Sequence, residues 1–152
     1  METHVQELVT RTRHIPEDPA SASVRDVRVL TSAMRTHGPI TKLAPELLLD
    51  DPLYVQRLHY AATPLISYPR LQALSYYIGH HNPDILHAYS FWYQPADVAA
   101  RYAQKRRIPF FFHPVFYENE VRKKWFWQLY KNIVGRRTFA AADIVFVISP
   151  YE

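Results

Sequence analysis

The chain contains no cysteine. That excludes disulfides and thiolate metal sites, and it fits a reducing, cytosolic setting. Glycine is almost as scarce, with only Gly38, Gly79 and Gly135 in 152 residues. None precedes the first helix-like segment, so the glycine-rich phosphate loop that usually opens a nucleotide-binding α/β domain is not there. No apolar run approaches the ~20 residues needed to cross a bilayer. The start, Met1-Glu-Thr-His-Val-Gln-Glu-Leu8, has neither the basic nor the apolar region of a signal peptide. Internal repeats and low-complexity tracts are missing as well.

What is present is globular. Hydrophobic residues make up 48% and aromatic residues 14% of the chain, which excludes a disordered polymer. The length suits a single domain over residues 1–152 with a sizeable core. A net charge of +4 is a modest basic excess, well short of a nucleic-acid-binding extreme.

Three short apolar segments end in polar residues: Asp84-Ile-Leu-His-Ala-Tyr-Ser90, Ile108-Pro-Phe-Phe-Phe-His113 and Ala142-Asp-Ile-Val-Phe-Val-Ile-Ser149. Helix-like runs separate them, which predicts a parallel α/β unit. Helices are expected over Thr3–Arg13, Tyr68–His81, Pro95–Arg107 and Glu118–Ala141, the last loosened at Gly135. Strands are expected over Asp26–Thr31, Leu53–His59, Asp84–His87, Pro109–Phe112 and Asp143–Ile148. His14–Ala22 reads as loop, and Ser32–Asp51, broken by Gly38-Pro39 and Pro45, has no clear period.

In parallel sheets ligands bind beyond the carboxyl ends of the strands. His87, Tyr89, Ser90, His113 and Ser149 fall there. His87 and Tyr89 are two apart on a strand and point to one side, where they could orient a hydroxylated ligand or merely finish a strand. His113 stands where a phenylalanine strand opens into Pro114. Its imidazole could bond a sugar hydroxyl or steady developing charge, or simply cap the strand. Thr3 offers a helix N-terminus to a phosphate. The substrate-binding candidates are thus Thr3, His87, Tyr89, Ser90 and Tyr117, with His113 as the candidate catalytic residue. His80-His81 reads as a surface pair, since no partners at metal-ligand spacing accompany it.

Val121 to Arg137 is basic and aromatic with no acidic residue. At about 100° per residue, Val121, Trp125, Leu129 and Ile133 form a stripe expected to face the core. Lys123, Lys124, Lys131 and Trp127 fall opposite, as a solvated face or a membrane-facing one, since an indole among cations suits an anionic headgroup region. Nucleic acid is a weaker partner for these charges, because no binding motif accompanies them.

In its ordered blocks the chain resembles the N-terminal domain of a family 4 glycosyltransferase, half of the two-lobed GT-B fold. Glu2-Thr-His-Val-Gln-Glu-Leu-Val9 is similar to the family's first helix and Val27-Arg-Val-Leu-Thr-Ser32 to its second strand. Asp84-Ile-Leu-His-Ala-Tyr-Ser90 is similar to its Asp-hydrophobic-hydrophobic-His-x-His segment, with Tyr89 at the second histidine. Ala141-Ala-Asp-Ile-Val-Phe-Val-Ile-Ser149, with Glu152 beyond it, resembles a further block. The resemblance implies a Rossmann-like parallel sheet flanked by helices, here without its first strand and Gly-Gly loop. It implies retaining transfer of a sugar from a nucleotide-sugar donor to a glycan or lipid-linked acceptor, with His113 near the transferred sugar. It implies no cofactor and no metal, since the Asp-x-Asp motif is absent. The donor-binding half is also absent, so the chain is expected to be incomplete at both ends, inactive alone, and cytoplasmic or peripheral to a membrane. The rival expectations are a non-catalytic binding module on the same half-fold, or an unrelated nucleotide- or nucleic-acid-binding α/β domain.

Overall fold

The computed structural model describes residues 26–32, 55–61, 68, 70–115 and 124–147. Its central unit is built on β6 (Phe110–His113), the middle strand of a three-stranded parallel sheet with β5 (Leu86–Tyr89) and β7 (Ile144–Val145). Aromatic side chains suit a pleated surface, and in β6 they alternate: Phe110 and Phe112 are fully buried, Phe111 and His113 half-buried on the other side. Register pairs Tyr89 with His113 and His87 with Phe111, and Phe111 with Ile144 on the far side.

Between β5 and β6 runs α2 (Gln94–Arg106), with Pro95 in its first turn and Arg107 in a left-handed conformation (φ 58°) at its end. Ala96, Ala99, Ala100 and Ala103 are all buried, and their small side chains let the helix lie close on β5 and β6. The helix α1 (Leu74–His81) and the later α4 (Arg136–Ala140) flank it. The remaining strands form two small sheets. The parallel pair is β1 (Val29–Ser32) with β2 (Val55–Leu58), and the antiparallel pair is β3 (Tyr60–Ala61) with β4 (Arg70–Leu71).

The predicted α/β order is present, with shifted edges. The expected helix over Tyr68–His81 begins only at Leu74. Arg70–Leu71 is strand instead, the Leu71 amide is held by the Gln94 side chain, and Ala73 is left-handed (φ 52°), which breaks any helix before it. The first strand is displaced to Val29–Ser32, and β5 runs to Tyr89 rather than stopping at His87. The expected helix over Thr3–Arg13, the loop after it and the segment 33–51 lie outside the described residues.

The last helical run differs most from expectation. It comprises α3 (Lys124–Tyr130), a π-helical turn (Lys131–Gly135) and α4. The stripe of Trp125, Leu129 and Ile133 faces out, whereas Trp127 is only 6% exposed. Both faces of this helix carry large apolar residues, so periodicity could not choose between them. The choice follows from Asp97 on α2, which is 2% exposed. A buried carboxylate without partners costs several kcal/mol, and only the face bearing Tyr130 and Thr138 supplies hydroxyls to it. Those two residues are eight positions apart. Two α turns take about seven residues, and an i→i+5 turn takes about one more, so the π turn aligns both hydroxyls on one side. Gly135 closes that turn beneath the Phe91 ring: a Cβ there would lie 2.6 Å from Phe91 Cζ. The expected loosening at Gly135 is this π turn.

Candidate functional site

The polar residues at the carboxyl ends of β5 and β6 come together on the sheet face opposite Phe110 and Phe112. His87 stacks on Tyr89 with ring centroids 4.5 Å apart, and Tyr89 lies 5.2 Å from His113. Phe146, just past β7, completes the group at 5.4 Å from His87 and 6.4 Å from His113. The same-side placement expected of His87 and Tyr89 is therefore present, and the strand register brings His113 beside them.

The electrostatics favour the neutral forms of His87 and Tyr89. Desolvation, then the nearby His113, lowers the pKa of His87, although the residue as a whole is exposed. Burial raises the pKa of the Tyr89 phenol. The Nε2 atom of His113 is buried and has no hydrogen-bond partner among the described residues. Native proteins satisfy the large majority of such atoms, so an orphan of this kind calls for an explanation.

The backbone at this end is strained. Ser90 (φ 75°), Trp92 (φ 59°) and Val115 (φ 30°) all sit at positive φ, a conformation costing of order 1–3 kcal/mol for each such residue. Two amides fasten the turn, Ser90 N–H to the His113 carbonyl at 2.8 Å and Phe91 N–H to the Pro114 carbonyl. Phe91 and Trp92 are then buried against Tyr130, with centroids 5.4 and 4.5 Å away. This aromatic anchor keeps Ser90 and His113 in register, and it had no periodic signature in the sequence.

A second polar cluster lies behind it. The Asp97 carboxylate accepts hydrogen bonds from Tyr68 Oη at 2.6 Å, from Tyr130 Oη at 2.9 Å and from Thr138 Oγ1 at 2.6 Å. Desolvation first and Asp97 second push the Tyr68 and Tyr130 phenols far above the ordinary tyrosine range. Sequence reading missed this cluster. Its one signal was an acid set among the alanines that mark the buried face of α2.

Other expectations need correction or stand apart. His81 is not a surface residue: it is half-buried, its Nε2 3.0 Å from Gln56 Oε1, while His80 is exposed. Trp127 cannot face a membrane, because it is packed in the core with Lys131 Nζ 4.9 Å over its ring. Lys124 opens α3, and Thr3, Tyr117, Lys123 and Ser149 lie outside the described residues. Among the described residues no three His, Asp or Glu side chains gather to hold a metal ion. Among the described residues, surface depressions of about 370 and 70 Å³ lie along the π turn and α4 and beside Asp97, and neither is lined by His113.

Comparison with known families gives a match over residues 1–152 to the glycosyl transferase 4-like domain. No curated protein and no solved structure matches the chain.

Proposed function

Because the chain belongs to the glycosyl transferase 4-like family, we propose that it forms the acceptor-side half of a retaining glycosyltransferase. The reaction moves a sugar from a nucleotide-sugar to a glycan or lipid-linked acceptor. One observation carries the assignment of the site: the buried, unbonded Nε2 of His113, beside Tyr89 and His87 at the strand ends. A hydroxyl of the transferred sugar would satisfy that nitrogen, and the bond is worth most in the transition state, when charge develops on the sugar. Tyr89, His87 and Ser90 then bond the remaining hydroxyls. The nucleotide is held by a separate donor-binding half, and Thr3 and Tyr117 complete the acceptor side. No helix among the described residues is long and apolar enough to cross a membrane. The proposed place of work is the cytoplasm, at a membrane surface where the acceptor is lipid-linked.

In a protein joining this domain to a donor-binding half, His113→Ala is expected to lower turnover by roughly ten- to a thousandfold with nucleotide affinity nearly unchanged. His80→Ala, on an exposed ring, should leave turnover intact. Radiolabelled sugar transfer with a panel of nucleotide-sugars measures both, and equal losses at the two positions would sink the assignment.

A further inference from the structure

The helical run from Lys124 to Ala140 buries the face of Trp127 and Tyr130 and presents the other to solvent. Trp125 is 70% exposed, Leu129 48% and Ile133 47%. At four-residue spacing they form one ridge. The ridge ends in charge: Ile133 shares the depression of about 370 Å³ with Asn132, Arg136, Arg137 and Ala140. From Lys124 to Ala142 there is no aspartate or glutamate at all. An indole and two aliphatic side chains left in water beside two arginines make a surface with a missing partner.

The chemistry of that partner can be narrowed. A nucleic acid would engage Arg136 and Arg137 but gain little from Leu129 and Ile133. A second copy of the chain would bring the same cations against themselves. An anionic bilayer uses every feature of the face, with indole at the headgroup level, aliphatic side chains at the acyl boundary and guanidinium groups on phosphates.

We propose that this face docks on an anionic lipid bilayer, with Trp125, Leu129 and Ile133 inserted and Arg136 and Arg137 bound to lipid phosphate. The inserted surface is the one opposite Trp127, and the proposal stands apart from the sugar-transfer reading because no activity enters its test.

Vesicles of phosphatidylcholine alone, and of phosphatidylcholine with one-third phosphatidylglycerol, are the probes. The full chain should sediment with the second only and be released by added salt. Its tryptophan emission should shift to the blue on binding, because Trp92 and Trp127 are already buried. The shift should vanish in Trp125→Phe. Arg136→Ala/Arg137→Ala should weaken binding about thirtyfold, from the ~1 kcal/mol each cation contributes at such a surface. Leu129→Ser/Ile133→Ser should weaken it comparably, and Lys105→Ala/Arg107→Ala, on exposed cations of another element, should not. These side chains are exposed, so circular dichroism should confirm an unchanged fold. Equal binding to neutral vesicles, no binding by folded protein, or no loss in the arginine pair overturns the proposal. So does a dimer that Leu129→Ser/Ile133→Ser dissociates, or tight oligonucleotide binding that ignores those two positions.

Discussion

Asp97 and His113 sit on neighbouring elements, α2 and β6, and their surroundings treat them in opposite ways. Asp97 is enclosed by three hydroxyl donors, from Tyr68, Tyr130 and Thr138. His113 has rings of Tyr89 and Phe146 around it but nothing bonded to its buried Nε2 among the described residues. A satisfied buried network fixes one arrangement of the core, because each missing member leaves others stranded. An unsatisfied atom, such as the buried Nε2 of His113, contributes no hydrogen bond to that arrangement among the described residues. The first region holds the helices together, and the second is where the chemistry is proposed.

The largest expected effect tests the first half of that contrast. Asp97→Ala should lower unfolding free energy by about 3 kcal/mol or more, because three buried hydroxyls lose their acceptor. His113→Ala should cost less than about 1 kcal/mol, since no hydrogen bond to Nε2 is lost. Urea midpoints measured on the same chain compare the two directly, and similar losses would erase the distinction between them.

A smaller effect tests the joint between the regions. In Gly135→Ala the new Cβ meets the Phe91 ring at 2.6–2.7 Å, so the ring must move, at about 1–3 kcal/mol. Phe91→Leu in the same chain should recover part of the loss. Full additivity of the two substitutions would show that the close approach is not the cause.

The smallest effect is a matter of pH. The folded state lowers the His87 pKa below its ordinary 6.5, so below that pH the unfolded chain binds more protons than the native one. Stability is therefore fully present above pH 6.5 and declines as pH falls toward the native value. His87→Gln should flatten this part of the curve, leaving only what His81, shifted in the same direction, contributes. The phenols of Tyr68 and Tyr130 are held protonated through this range, so the Asp97 cluster adds no response from them. Wild-type and His87→Gln denaturation curves that stay parallel from pH 7 to pH 5 would refute the assignment.

The α/β order was legible because strong local signals agreed with the tertiary outcome. Phe110-Phe-Phe112 could hardly be anything but a strand, and Pro95 followed by alanines announced α2. The pairing of His87 with Tyr89 followed from the period of a strand. Their meeting with His113 did not, because it depends on the register between β5 and β6, which side-chain periodicity within one strand cannot supply. Trp127 and Trp125 exchanged places for a related reason. Helical period assigned the Trp125 stripe to the core, and a carboxylate nearly thirty residues earlier in the chain reversed that assignment. Asp97 lies in the first turn of α2, where the helix dipole favours an acid in any helix, so its position alone carries no sign of the cluster.

The π turn at Lys131–Gly135 also bears on how this segment can change in length. Tyr130 and Thr138 span one α turn and one wider turn. Deleting one residue among positions 131–134 would leave them seven apart, two ordinary α turns, still on a common side. The helix can thus lose one residue there without taking either hydroxyl from Asp97. Insertions and deletions are rarely absorbed inside a packed helix. Here the wider turn acts as slack, letting one residue of the run be lost while the anchor beneath the strand ends stays where it is.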